Sequence, residues 1–174
     1  KKMEQYESFY FMEQKVNALL KADASDANLP ANLAYEINPS LQDDLAVAFF
    51  RPKEGRLSRE RAIEEENKLY KAGLIEPGDA VFFYGGGLML IHSAYHCGNE
   101  HPARMFEPYV ESLGPDVLER FDVGISDVHH VKDELDEAIR ESLYAAVYDE
   151  RSAGIRTFDQ LGVYQAILPF GGEK

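Results

Sequence analysis

All five histidines of the chain fall between positions 92 and 130. His92 and His96 are four apart, so on a helix they would share a face, and His101 follows beside Glu100. Imidazoles at that spacing can hold a zinc ion. The helical metalloprotease pattern needs a glutamate directly after the first histidine as general base, and Ser93 stands there. Cys97, the one cysteine, adjoins His96, and a cysteine paired with a histidine can become a thiolate nucleophile. Neighbours on a helix point about 100° apart, however, so adjacency in sequence is not pairing. Gly85-Gly86-Gly87 has neither the Gly-x-Gly-x-x-Gly spacing nor the Lys-Ser/Thr of a phosphate-binding loop. The expectation is therefore bland: polar edges of a buried helix, a structural cysteine and glycines for close packing, with no metal and no cofactor. A metal- or thiol-dependent enzyme around His92, His96, Cys97 and His101 is the alternative.

Carboxylates give the larger signal. Thirty-one acidic residues face eighteen basic ones in 174 residues, a formal net charge of -13. Such an excess repels itself and mildly destabilises a compact state. Residues 51–71 are locally +2, whereas residues 72–131 hold nine acids against two bases. Asp133, Glu137 and Glu141 form an i, i+4, i+8 row of like charge if residues 127–150 are helical. Each like-charge neighbour costs roughly 0.2–0.5 kcal/mol in an isolated helix. Glu134 and Asp136 lie beside the row, and only Asp136 has a cation four residues on, Arg140. Glu107 and Glu111 make a second pair, and Tyr144 and Tyr148 are aromatic anchors beside the acids.

The elements that must position these residues read as helices. Residues 3–22 lack Gly and Pro, with Phe9, Met12, Val16, Leu19 and Leu20 on one stripe. Pro30 opens a short helix to Ile37, Ser40 caps 41–50, and Ser58 caps 59–72 before Gly73. Pro102 opens a helix closed at Gly114, and a short one follows at 115–121. Ser126 caps 127–150, whose apolar row is Val128, Val131, Leu135, Ala138, Ile139, Ser142, Leu143 and Ala146. Thr157-Phe158-Asp159-Gln160 fits a capping box that starts a last helix to about Leu168. Residues 80–91 are divided between a buried central helix, which is favoured, and a hairpin turning at the three glycines. The expected fold is thus an all-α bundle of seven or eight helices over 1–174, in one domain, with a small β-hairpin at 80–91 as the variant.

Composition limits the function classes. Ten Tyr and ten Phe with 45% hydrophobic residues argue against disorder. One cysteine permits no intramolecular disulfide, which fits a reducing, cytoplasmic setting. The longest uncharged apolar stretch, 80–91, is shorter than the ~20 residues that span a bilayer. The net charge disfavours direct binding to nucleic acid or an anionic membrane.

In size, acidity and helix-rich character the chain resembles the small acidic DNA-mimic proteins of bacteria. It also resembles the immunity proteins that neutralise basic nuclease toxins. The resemblance is carried by Glu64-Glu65-Glu66, by Asp133-Glu134-Leu135-Asp136-Glu137 and by the overall charge. It implies an inhibitory protein-binding module whose partner is a basic protein, a DNA-binding protein or nuclease toxin. The contacts it implies are Asp133, Glu137 and Glu141, then Glu134, Asp136, Glu107, Glu111, Tyr144 and Tyr148. A homodimer is compatible with it. A structural or assembly subunit is a further alternative, and acidic rows of this kind more often serve only as solubilising faces.

Overall fold

The computed structural model describes residues 2–21, 28–148 and 154–161, with side chains from 11 onward in the first stretch. Helices α1 (Lys2–Leu20) and α2 (Leu29–Ile37) lead into strand β1 (Asp44–Pro52). Helix α3 (Arg59–Lys71), strands β2 (Ala80–Tyr84) and β3 (Gly87–Ala94), helices α4 (Pro102–Ser112) and α5 (Val117–Arg120), and strand β4 (Phe121–Ile125) follow. A 3-10 turn (Lys132–Glu134) precedes α6 (Leu135–Val147), and β5 (Ile155–Thr157) is the last strand. The strands form one sheet in the order β2-β3-β1-β4-β5. All pairs are antiparallel except β4 and β5, which α6 joins as a crossover.

The chain is therefore mixed α/β, not the expected all-α bundle. The physical reason lies in β1. Its first seven residues are buried in succession. Leu45, Val47 and Phe49 point to the layer of α1, α2 and α6, while Ala46, Ala48 and Phe50 point to the layer of α3, α4 and α5. A strand covered on both faces has no period-2 pattern and reads like a stretch of buried helix. That is why residues 41–50 form a strand rather than a helix.

Residues 80–91 form the hairpin and not the helix. Gly85 and Gly86 take positive φ of 55° and 82° in the two-residue turn, a conformation that only glycine adopts cheaply in succession. Gly87 is needed for a different reason, since a Cβ there would strike the Phe50 carbonyl oxygen. Residues 127–150 are not one helix either. Ser126 Oγ accepts from Val47 N and donates to the Asp127 carbonyl, so β1 captures the intended cap. Residues 126–131 become a loop, and α6 starts at Leu135. The expected last helix begins instead as strand and 3-10 turn over 155–161, and its remainder lies outside the described residues. Helices α1 to α5 stand close to where stripe, cap and glycine placed them, including the Ser58 cap on Arg61 N. No helix among the described residues is long and apolar enough to cross a membrane.

Candidate functional site

One end of the sheet gathers the start of β1, the end of β3, the entry to β2, the exit from β4 and β5, and the N-terminus of α4. All five histidines stand there, each against a carboxylate.

His129 is the most enclosed of them. A bridge to β1 fixes its backbone, through Leu45 N to His129 O and His129 N to Leu45 O, both 2.8 Å. Its side chain is 10% exposed. Nδ1 lies 2.8 Å from Glu134 Oε1 and Nε2 lies 3.0 Å from Glu141 Oε1. Burial pulls the imidazole pKa down, but the hydrogen bonds to Glu141 and Glu134 outweigh it and push it up to about 9. His129 is thus an imidazolium at neutral pH, donating from both nitrogens. Glu141 also accepts from Asp127 N. It comes this close because α6 lies directly on β4. Gly124 makes that seat, since a Cβ there would collide with the Ser142 oxygen and the Ala146 nitrogen. Glu137, one turn before Glu141, is exposed; its carboxyl is raised by burial of the group and by Glu134. Burial raises Asp127, with Glu141 and Asp159 adding to the shift.

Asp44, the first residue of β1, holds two more histidines. His130 Nδ1 is 3.0 Å from Oδ1, and His96 Nδ1 is 3.8 Å from Oδ2. Cys97 N donates to Oδ2 at 2.9 Å. That backbone bond, with the His130 bond, holds the Asp44 carboxyl below the usual range. On the other face, His92 Nδ1 is 2.9 Å from Asp79 Oδ1 and 3.1 Å from the Tyr109 hydroxyl. Asp79 has a side chain with no exposure, and it also accepts from Glu76 N and Ser93 N. Its carboxylate is saturated and ties the entry of β2 to β3 and α4. His101 caps α4 through Ala103 N and meets Asp159 at 2.8 Å.

The metal group of the enzyme alternative, His92, His96 and His101, is therefore dispersed. His92 lies on a strand, where four residues span about 13 Å rather than one helical turn. Each of the three serves a different carboxylate. Burial pushes the Cys97 thiol up, with Asp44 and Glu100 adding to the shift, so the thiolate of the enzyme alternative is disfavoured. A different group has ligand atoms within 4.8 Å of one another: His129, Glu137 and Glu141.

The carboxylates proposed for a partner divide in the same way. Glu134 and Glu141 are neutralised by His129, and Asp136 by Arg140 at 3.0 Å. Asp133 and Glu137 remain exposed, the first on the 3-10 turn and the second on α6, so no continuous row exists. Glu107 and Glu111 are exposed on α4, over the opposite face of the sheet from α6. Tyr144 and Tyr148 are half-buried and packed on each other at 5.3 Å. Sequence reasoning missed Asp44, Asp79, Asp127 and Asp159. The signal for the site was the crowding of all five histidines between 92 and 130, of which His130 faces solvent, 65% exposed.

A groove of about 500 Å³ lies at the opposite end, lined by Lys53, Arg56, Ser58, Arg61, Arg120 and Phe121 among others. Its cations are largely engaged: Lys53 by Asp122, Arg61 by Glu64 and Arg120 by Glu65. No family model, no curated protein and no solved structure matches the chain.

Proposed function

We propose that the protein is an acidic binding module that docks a basic, nucleic-acid-binding protein on the histidine end of its sheet. One observation carries this reading. Asp43, Glu76, Glu100 and Asp133 are exposed on the connections at that end, and none has a salt bridge among the described residues. Among the described residues, Lys132 is exposed beside Asp133, and Lys71 and Arg104 are exposed on the ends of α3 and α4. Beneath them, Asp44, Asp79, Glu134 and Glu141 are engaged by histidines, which fixes the scaffold from which the outer acids project. Unpaired surface carboxylates of one sign speed encounter with a positive partner and compete with nucleic acid for it. The interface is thus the end of the sheet rather than the α6 row, and the mechanism is occlusion of a phosphate-binding surface.

The test is capture from a lysate at low salt, followed by elution with duplex DNA. A basic protein that DNA releases supports the reading. A fourfold variant, Asp43→Asn, Glu76→Gln, Glu100→Gln and Asp133→Asn, should bind that protein at least about tenfold more weakly at low salt, with a flatter salt dependence. All four side chains are exposed, so folding should be unchanged. Equal affinity of the variant at low salt, or a captured protein that DNA does not displace, overturns the reading.

A further inference from the structure

The geometry points to a divalent-cation site formed by His129 Nε2 and the carboxylates of Glu137 and Glu141, with Glu134 as the group that orients the histidine. It stands apart from the docking reading and does not rest on it.

The first observation is distance. One ligand atom from each of the three residues lies within 4.8 Å of the other two, and His129 Nε2 is already 3.0 Å from Glu141 Oε1. Ligands bound at about 2.1 Å in a tetrahedral site sit roughly 3.4 Å apart. Binding releases the Nε2 proton that joins His129 to Glu141; the pair must then open by a few tenths of an ångström, and Glu137, exposed on the same helix face, must close. The second observation is support. His129 is pinned to β1 by two backbone bonds, and Glu137 and Glu141 ride on a helix seated against β4 at Gly124. The two sides of the site are thus both held on the adjacent strands β1 and β4. The third is the outer partner. Glu134 Oε1 lies 2.8 Å from Nδ1, the nitrogen that a metal at Nε2 would leave free. A carboxylate on the far nitrogen is the arrangement that orients metal-bound histidines and raises their basicity.

The ligand chemistry selects the ion. One imidazole and two carboxylates suit first-row dications such as Zn²⁺, Mn²⁺ or Co²⁺, whereas Mg²⁺ and Ca²⁺ favour oxygen donors throughout. The site differs from the one that His92 and His96 suggest in sequence, because its histidine comes from a loop and its carboxylates from a helix. Exposure of Glu137 leaves an entry path and room for water on the solvent side.

The test uses the full chain, stripped of metal, titrated with Zn²⁺, Mn²⁺ and Co²⁺ in an excess of Mg²⁺ that occupies loose acidic sites. Calorimetry should give one saturable site per chain for at least one of the three ions. Glu137→Gln, an exposed change that spares the fold, should weaken binding by at least about tenfold, and Glu134→Gln by about tenfold through the outer contact. Glu119→Gln, exposed on α5 at the other end, should leave binding unchanged. Absence of saturable binding in excess Mg²⁺, or full affinity in Glu137→Gln, overturns the site.

Discussion

Where β1 finishes, Glu65 is 1% exposed and is held by Arg120 at 2.6 Å, with Lys68 at 3.3 Å and Arg61 at 3.7 Å. Asp122 there faces Arg156, Lys53 and Arg51. Where β1 begins, Asp44, Asp79, Glu134, Glu141 and Asp159 face histidines. Guanidinium and ammonium groups keep their charge across the working pH range, while imidazole does not. The first end is a fixed scaffold. The second is held by imidazoles, two of which, those of His96 and His130, are exposed. The contrast recurs between neighbours on α3: Glu65 is fully paired, whereas Glu66 Oε2 is buried with no hydrogen-bond partner among the described residues.

The largest expected effect tests the fixed end. Arg120→Ala strips Glu65 of its closest partner and should lower stability by about 3–4 kcal/mol, read by urea denaturation. An unchanged midpoint would mean that Lys68 and Arg61 suffice, and the contrast between the ends would weaken.

Next comes the seat of the histidine end. Gly124→Ala pushes Ser142 and Ala146 away from β4 and should cost about 2–3 kcal/mol. Because Glu141 moves with α6, the imidazole signals of His129 should shift in NMR while Glu65 and Arg120 are undisturbed. A stable variant with unshifted His129 would show that α6 does not set the site.

Glu66→Gln sharpens the comparison within α3. Burial raises the Glu66 carboxyl from 4.5 to about 7. A carboxyl raised in the folded state contributes fully below the unfolded pKa, and that contribution is lost as pH rises through the folded value. The neutral variant should therefore gain about 2 kcal/mol over the parent at about pH 8 and almost nothing at about pH 4. A gain independent of pH would remove the distinction between Glu65 and Glu66. The smallest effect is chemical: Cys97 should react with iodoacetamide more slowly than a free thiol at mildly alkaline pH, since its pKa is raised. Faster alkylation would reopen the thiol-enzyme alternative.

Legibility in the sequence followed locality. α3 and α4 announce themselves within a dozen residues, by Ser58 and Gly73 and by Pro102 and Gly114. β1 does not, because its alternating faces both meet helices supplied by distant parts of the chain. The site was hidden for the same reason. Asp44 and His130 are 86 residues apart, and His101 and Asp159 are 58 apart. The i, i+4 spacing of Glu137 and Glu141 was visible. What stands opposite Glu141 was not, since His129 belongs to a loop that the helical period concealed.

The central position of β1 has a consequence for synthesis. β1 emerges before either strand that flanks it, and its last partner, β4, ends at Ile125, 73 residues beyond Pro52 (125 - 52). At about 5–20 residues per second, the ribosome needs roughly 4–15 s to supply it. Both edges of its run of apolar side chains stay open until β3 ends at Ala94, and the β4 edge stays open for the whole interval. Slowing translation after Pro52 should therefore lower the soluble yield without changing the finished molecule.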